Sequence, residues 1–327
     1  MKIDWKPFVE IVHQHERFVL TSHVRPDCDA LGSELGMAGV LESLGNQVRI
    51  VNPHATPSNL AFIDPHRRIR QLGQEVQATD LADAEVLIVL DTSAWAQLGS
   101  MADVVRTTTA RRVLIDHHVG EDDLKAELFK NVKAEATGRL VVEAADALDV
   151  RLTPEIAAPL FAALATDTGW FRFSSTTAET LRLAGRLMDA GADAAAIYNA
   201  LYEQDTLARV KLRGEILARV VAEMDGQLVH TYVRLDDFRR TGALPIDTED
   251  VVNMTLAVAG SEVAVIFVEQ KPNAFKISFR SRCRVDCNQV ARQFGGGGHK
   301  AAAGASLEGP FDEVRGRVLD AVRAAMG

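Results

Sequence analysis

The sequence predicts an α/β protein with two domains: a larger one with a mostly parallel sheet flanked by helices, and a smaller α/β one with a mixed sheet. Three observations support this fold class. The 327 residues are more than one average domain needs and suffice for two hydrophobic cores. Apolar strand runs alternate with helical patterns in the first part of the chain, as is typical of parallel sheets. Beyond residue 223 the pattern changes to strands of period two.

Strands and helices alternate along the first domain. Apolar, β-branched runs predict strands at residues 17–23, 48–51, 86–90 and 112–115. Apolar residues at helical spacing predict helices at residues 5–15, 30–44, 101–107, 137–148, 154–165 and 177–190. Thr153 before Pro154 is a typical helix start, and Gly45 and Gly191 are typical helix ends. This alternation predicts a sheet whose strands run mostly parallel.

A long, charge-laced helical stretch separates the two domains. We place the first domain at residues 1–192, a helical connector at 193–223 and the second domain at 224–327. Alternating patterns in the second domain predict strands at residues 227–233, 262–269, 274–280 and 301–307. A short helix at residues 286–294 and a terminal helix after Pro310 complete this domain.

Composition limits the classes of partner and compartment. The formal net charge of −9 argues against a protein that coats long DNA or RNA, because such proteins rely on a broad basic face. Three cysteines without a CxxC pair fit a reducing cytoplasm. The chain has no apolar run of about eighteen residues, and its start lacks the apolar region of a signal peptide. We therefore expect a soluble, cytoplasmic protein with no membrane partner.

Carboxylates and imidazoles follow the ends of three apolar strands. His23, Asp27 and Asp29 follow the first, Asp91 follows another, and residues 116–118 supply one aspartate and two histidines. Because open α/β sheets place their ligand crevice at the carboxyl ends of the strands, we expect these side chains to converge on one site.

Such a cluster, joined by Asp167 after a later helix, requires countercharge. At an effective dielectric constant of about 20, two carboxylates about 4 Å apart repel by roughly 4 kcal/mol. Divalent metals supply the missing charge, and a mixed set of oxygen and imidazole donors favours Mn²⁺ or a related ion. Two such metals sharing a hydroxide suit the in-line displacement of a phosphoryl group, a reaction with a very high uncatalysed barrier.

The same residues form motifs that resemble those of the DHH phosphoesterase superfamily. The matching segments of the first domain are residues 23–33, 91–93, 116–118 and 167–171. The second domain resembles the associated C-terminal substrate domain at residues 278–281, 285–288 and 294–304. These seven motifs span nearly the whole chain, and the length and the glycine motif are similar to the bacterial nanoRNase and pAp phosphatase group.

The resemblance implies a dimetal hydrolase that is usually manganese-dependent. One metal would be held by His23, Asp27 and Asp91. The other would be held by Asp29, Asp91, His117 and Asp167. In this arrangement Asp91 bridges the two ions.

The resemblance also implies catalytic and substrate-binding roles. His118 would face the phosphate, Asp116 would orient an imidazole, and Arg280 would help to stabilise transition-state charge. The implied substrate contacts are Arg280, Ser281, Gly296, Gly297, Gly298 and His299. Amides of the glycine run would form an anion-binding nest, and the second domain would close the cleft between the domains.

Several residues keep a second interpretation. Cys28 stands where this group usually has glycine, and an inert buried thiol is favoured over an oxidation-sensitive one. Arg280 fits an exposed strand residue as well as a phosphate ligand. The glycine run fits a flexible loop, and Trp170 fits core packing as well as stacking on a base.

The activity that we predict is hydrolysis of RNA of a few nucleotides and of the 3′,5′-bisphosphate pAp by a metal-bridging hydroxide. One rival is a phosphodiesterase of cyclic-dinucleotide products such as pApA and pGpG, and another is a catalytically silent nucleotide-binding regulator. A pyrophosphatase and a long-strand exonuclease are disfavoured. We expect a short RNA or nucleotide as partner and no long DNA. A homodimer, the physiological substrate, the cleavage polarity and the metal used in the cell stay open.

Overall fold

A computed structural model describes residues 3–120 and 122–327. The described residues fall into two compact units, which divide between Gln204 and Asp205. Each unit has its own sheet and its own hydrophobic cores. The first sheet is parallel and the second is mixed, so the predicted fold class is confirmed. None of the described helices is both long enough and apolar enough for a membrane span.

Six strands of the first unit form a parallel sheet in the order β3-β2-β1-β4-β5-β6. These strands are β1 (Arg17–Thr21), β2 (Gln47–Asn52), β3 (Ile69–Gln71), β4 (Val86–Leu90), β5 (Arg111–Asp116) and β6 (Glu127–Lys130). The chain runs outward from β1 to β3, then returns to β4 on the other side of β1 and continues to β6. The strand order therefore reverses between β1 and β4, and such a switch point is where parallel sheets form a ligand crevice.

Helices cover both faces of this sheet. They are α1 (Lys6–Gln14), α2 (Cys28–Ser43), α3 (Met101–Thr107), α4 (Thr137–Ala147), α5 (Pro154–Asp167), α6 (Ala178–Asp189) and α7 (Ala194–Tyr202). Short 3₁₀ helices lie at Ser58–Ile63, Ala78–Leu81 and Trp95–Gln97. Helices α2 and α5 are apolar and buried on most sides because they pack against each other within the largest core. They hold Asp29 and Asp167 in a rigid setting.

The second unit contains a mixed sheet in the order β11-β12-β10-β9-β8-β7. Its strands are β7 (Val221–Glu223), β8 (Leu228–Val233), β9 (Val263–Lys271), β10 (Ala274–Ser281), β11 (Gly297–Gly298) and β12 (Ala302–Glu308). Its helices are α8 (Leu207–Ala218), α9 (Leu235–Thr241), α10 (Val251–Thr255), α11 (Cys287–Arg292) and α12 (Phe311–Met326), with 3₁₀ turns at Met224–Gly226 and Pro245–Thr248. One core includes residues of α11 and α12, and the other includes residues of α8 and α10.

The stretch predicted as one helical connector, residues 193–223, contains two helices and a strand instead. Ile197 of α7 packs into the core of the first unit, whereas Leu212 and Ile216 of α8 pack into a core of the second. Thr206 begins α8 by accepting a hydrogen bond from the Arg209 N–H at 3.1 Å. The helical pattern is therefore interrupted because its two halves serve different cores.

Short edge strands were not predicted. β3 and β6 have three and four residues, and each alternates only weakly between buried and partly exposed positions. Such segments lack the apolar run that identifies the central strands. The omission matters at β6, because this strand carries Lys130 to the functional site.

Candidate functional site

Asp91 lies at the centre of the predicted site. It follows β4 with φ 63°, in the left-handed region, and its N–H donates to the Ile115 carbonyl at 3.0 Å. This turn leaves the carboxylate 2% exposed between two imidazoles. Oδ2 lies 3.4 Å from His23 Nε2, and Oδ1 lies 3.6 Å from His117 Nε2. Asp91 therefore offers one oxygen to each side of the site.

The first group of possible metal ligands is His23, Asp27 and Asp91, whose ligand atoms lie within 4.8 Å of one another. His23 Nδ1 pairs with the Val24 carbonyl at 2.9 Å, which turns Nε2 towards the carboxylates. Asp27 is the N-cap of α2 and accepts hydrogen bonds from the N–H groups of Asp29 and Ala30. The helix start thus fixes the carboxylate that follows the first strand.

The second group is Asp29, His117 and Asp167, which meets the same distance criterion. His117 Nε2 lies 3.7 Å from Asp29 Oδ2 and 3.4 Å from Asp167 Oδ2. At the start of α4, the N–H groups of Thr137 and Gly138 donate to Asp29 at 2.7 and 2.9 Å. A buried carboxylate is favoured there because a helix N-terminus carries partial positive charge.

All six predicted ligands are therefore brought together in the first unit. We call His23, Asp27, Asp29, Asp91, His117 and Asp167 the metal cluster. Two of its residues come from loops after β1 and β5, two from the start of α2, one from the end of β4 and one from the last turn of α5.

The buried carboxylates of the metal cluster shift the pKa values of its members. Burial, and next the charge of Asp29, raise the pKa of Asp91 well above its usual range and that of Asp167 to about 6. Burial opposes charge on His23, but hydrogen bonds with Asp27 and Asp91 outweigh it and raise the His23 pKa to about 11. The cluster therefore favours bound positive charge. Divalent metals fit this donor set because they would supply that charge.

His118 lies beside the cluster, with its Nδ1 3.8 Å from Asp91 Oδ1, and is held by Asp116. Its Nδ1 lies 2.8 Å from Asp116 Oδ1, and its N–H donates to the same oxygen at 3.1 Å. The hydrogen bond with Asp116 raises the pKa of His118 to about 9. Burial opposes charge on Asp116, but the hydrogen bonds from His118 lower the Asp116 pKa to about 2. Because Nδ1 is engaged, Nε2 is the ring atom that can reach a ligand.

Lys130 completes this arrangement, although it belongs to no motif that could be recognised in the sequence. Its Nζ lies 3.3 Å from Asp116 Oδ2 and donates to Ser93 Oγ at 2.7 Å and to the Gly120 carbonyl at 2.5 Å. The side chain is only 9% exposed. Lys130 therefore supplies countercharge to the buried Asp116 and ties it to the loop that follows the two histidines.

Glu34 and Asn52 form a second supporting pair that the sequence analysis missed. Asn52 Nδ2 donates to Glu34 Oε2 at 2.8 Å, and Asn52 Oδ1 accepts from the Ser22 N–H at 3.0 Å. Ser22 directly precedes His23, so the pair fixes the backbone that carries a predicted ligand. Burial raises the pKa of the fully buried Glu34 to about 7, against the opposing hydrogen bond from Asn52. A glutamate among the apolar residues of α2 was the available signal.

The second unit places Arg280 and His299 at one end of its sheet. Arg280 pairs with Ala302 in the register of β10 and β12, and the His299 N–H donates to the Ala302 carbonyl at 2.8 Å. Arg280 Nε donates to Asn253 Oδ1 at 3.1 Å. Ser281 is buried, and its hydroxyl accepts from the Cys283 N–H at 3.2 Å, which favours a structural role.

Three of the four amides in the glycine run, for which an anion-binding nest is predicted, have partners within the second unit. The N–H groups of Gly295, Gly296 and Gly298 donate to Arg292 O, Ala291 O and Asn288 Oδ1. They are engaged within the unit and do not point to a common anion site. A Cβ on Gly298 would lie 2.6 Å from Ala302 O, and one on Gly296 would overlap Gly304 O. These two glycines therefore permit close packing of β11 on β12.

Two segments of the chain match described families. Residues 17–164 match the DHH family, N-terminal domain, and residues 225–327 match the DHHA1 domain. The chain belongs to the DHH family, and the predicted resemblance is confirmed.

Within that family the chain is similar to two bacterial relatives. Both bear the name bifunctional oligoribonuclease and PAP phosphatase NrnA. The relative from Thermus thermophilus is 34% identical over 310 residues, which cover 93% of this chain and 88% of the relative. The one from Bacillus subtilis is 27% identical over 302 residues, which cover 91% and 92%. A solved structure, an exopolyphosphatase-related protein from Bacteroides fragilis, has a TM-score of 0.83 at 26% identity and covers 98% of this chain and 94% of its own.

Proposed function

We propose that the protein is a metal-dependent phosphoesterase that hydrolyses RNA of a few nucleotides and pAp. The observation that carries this proposal is the two-sided position of Asp91, with one oxygen facing His23 and the other facing His117. A bridging carboxylate with separate donor groups on each side suits two divalent cations. The names of the two NrnA relatives describe the same activities.

The residues of the site divide the chemical work. Cations in the metal cluster would offset the phosphate's charge and activate water for attack on phosphorus. His118 would donate from Nε2 to a phosphoryl oxygen, since its Nδ1 is engaged by Asp116. Asp116 and Lys130 would keep the imidazole in that orientation. Positioned charge of this kind is the main contribution that a protein makes to phosphoryl transfer.

We propose Mn²⁺ as the preferred ion. The metal cluster offers carboxylate oxygens and imidazole nitrogens, a set that suits Mn²⁺ better than an all-oxygen Ca²⁺ cage or a thiolate zinc site. The nearby Cys28 does not compete as a ligand. It belongs to none of the possible ligand groups among the described residues, and burial raises the pKa of its thiol to about 12, which supports the inert interpretation of this residue.

Residues of the second unit are proposed to recognise the nucleotide. Arg280 and His299 would contact its other phosphate or its base, and Gly296, Gly297 and Gly298 would shape the loop beside them. The chain's net charge of −9 supports small substrates, because a protein without a broad basic face would displace few counterions from long DNA or RNA.

A turnover panel tests this function. Metal-stripped protein is assayed with and without Mn²⁺ on pAp, on pApA, on RNA of a few nucleotides and on a long single strand. We expect metal-dependent hydrolysis of pAp and the short RNA, with rates that fall as the strand lengthens. Tight binding of pAp without hydrolysis would instead identify a silent regulator. A strong preference for pApA would favour the dinucleotide phosphodiesterase, and equal rates on the long strand would contradict the short-substrate proposal.

A further inference from the structure

Three aromatic side chains of the first unit form a surface cluster that the proposed mechanism does not use. Tyr198 and Tyr202 lie one turn apart on α7, with ring centroids 5.0 Å apart. The Trp170 ring lies 4.9 Å from Tyr198 and 5.7 Å from Tyr202, edge-on to both. We call these three residues the aromatic platform. The two tyrosines remain 37% and 46% exposed.

The aromatic platform adjoins the metal cluster along the chain. Asp167 ends α5, and the Trp170 N–H folds back to donate to the Ala165 carbonyl at 2.6 Å. Gly169, Trp170 and Phe171 all have positive φ, at 57°, 57° and 63°. Two bulky aromatic residues in succession rarely adopt this conformation, and costly backbone of this kind concentrates at functional sites. The turn places Trp170 three residues after Asp167, a predicted metal ligand.

The two tyrosines lie beside the same turn. Their rings are 4.9 and 5.7 Å from the Trp170 ring, so the whole aromatic platform is close to the end of α5 that carries Asp167.

Core packing explains only part of the aromatic platform. The ring centroids of Trp170 and Phe171 each lie 6.0 Å from that of the buried Phe161, so both side chains pack against the hydrophobic core. Tyr198 and Tyr202 bury much less of their rings, and exposed aromatic surface gains little from the hydrophobic effect. Exposed aromatic faces beside a phosphate site are the usual platform for a nucleobase, because every base has a π-face.

We propose that Trp170, Tyr198 and Tyr202 bind the base of the nucleotide whose phosphate lies at the metal cluster. This inference rests on the proposed function and adds the element that recognises the base. Stacking of this kind tolerates any of the four bases. It therefore predicts weak base preference and a clear preference for substrates that have a base over those that lack one.

The test compares pAp with its abasic analogue, ribose 3′,5′-bisphosphate. The full-length Mn²⁺ enzyme is assayed as the wild type, as Tyr198→Ala/Tyr202→Ala and as the matched Tyr198→Phe/Tyr202→Phe, which keeps both rings. We expect the ratio of kcat/KM for pAp to that for the abasic compound to fall about tenfold in the alanine variant. The phenylalanine variant should keep the wild-type ratio. Tyr198→Leu/Tyr202→Leu, which retains apolar bulk, replaces the alanine variant if that one fails to fold.

Equal losses on both compounds, or an unchanged ratio, would overturn the inference. Failure of the proposed function is distinguishable, because the wild type would then hydrolyse neither compound. In that case the affinities of the two compounds for the protein, measured by calorimetry, test the inference. The inference stands if the variant lacking both tyrosine rings loses the wild type's preference for pAp, and it is overturned if that preference is unchanged.

Discussion

The metal cluster of the first unit and the glycine run of the second differ in which polar groups they leave available. In the metal cluster, His23 and His117 use Nδ1 on backbone carbonyls and aim Nε2 at carboxylates. In the glycine run, the N–H groups of Gly295, Gly296 and Gly298 all donate inside the unit. The imidazole Nε2 atoms of the metal cluster thus face its carboxylates, whereas these three glycine N–H groups are used within the fold. A high density of polar groups alone therefore does not identify a binding site.

The largest effect that this comparison predicts is at Asp91. Asp91→Ala removes the carboxylate that faces both His23 and His117, so the hydrolysis of pAp should fall about a thousandfold or more. The effect is measured as kcat with saturating Mn²⁺. The control is Asp103→Ala, an exposed carboxylate on α3 of the same unit. If both variants keep wild-type activity, the metal cluster is not the reaction centre.

The next largest effect is on the pH dependence of stability and concerns Glu34, which supports the backbone beside His23. Glu34 has a folded-state pKa of about 7 against its ordinary value of 4.5. Below pH 4.5 both states hold the proton. As the pH rises towards 7 the unfolded chain loses the proton first, so the folded state is progressively destabilised.

Glu34→Gln cannot ionise and should escape this loss. Its free energy of unfolding should gain on the wild type by about 3 kcal/mol between pH 4.5 and pH 8 in metal-free protein. Urea unfolding at a series of pH values measures the difference, with the exposed Glu42→Gln at the end of α2 as control. A constant difference across this range would show that Glu34 is not held in its protonated form.

A smaller effect is expected at Lys130, which supports Asp116 and thereby His118. Lys130→Met should lower kcat about tenfold to a hundredfold with little change in KM, because residues that orient a functional imidazole have effects of that size. Lys130→Arg should restore part of the rate, since it keeps the charge. The exposed Lys133→Met serves as control. A loss confined to KM would assign Lys130 to substrate binding instead.

The smallest predicted effect is a difference in stability between alanine substitutions at the neighbouring Gly298 and Gly297. Gly298→Ala should lower the free energy of unfolding by about 1–3 kcal/mol, because φ is 148° and the new Cβ would meet Ala302 O. Gly297→Ala should be nearly neutral, since the nearest atom to its Cβ is Asn288 Oδ1 at 3.7 Å. Thermal unfolding measures both. Unchanged stability in Gly298→Ala would restore the possibility that this glycine is needed for a ligand.

The convergence of the predicted ligands could be foreseen from the sequence because of a simple regularity. Side chains that end neighbouring parallel strands must meet at one edge, so His23, Asp91 and His117 converge whatever the loops do. The hydrogen-bond partners of backbone N–H groups follow no such regularity. Asn288, which accepts from the Gly298 N–H, lies ten residues away on α11, and only the folded structure shows the pairing.

The supporting residues Lys130 and Asn52 could not be recognised from the sequence for related reasons. Lys130 lies on a short edge strand without an apolar run, and Asn52 is the last residue of a strand whose end shows no catalytic motif. Their roles depend on contacts with Asp116 and Glu34 across the sheet and helices. Such contacts have no local sequence period, so the pattern of residues could not identify them.

Titration of metal-free protein with Mn²⁺ in a calorimeter tests the central claim most directly. The account predicts that each chain takes up two ions, one beside His23 and one beside His117, and that Asp91→Ala weakens the uptake of both. Uptake of no ion, or of two ions with unchanged affinity in Asp91→Ala, would contradict it.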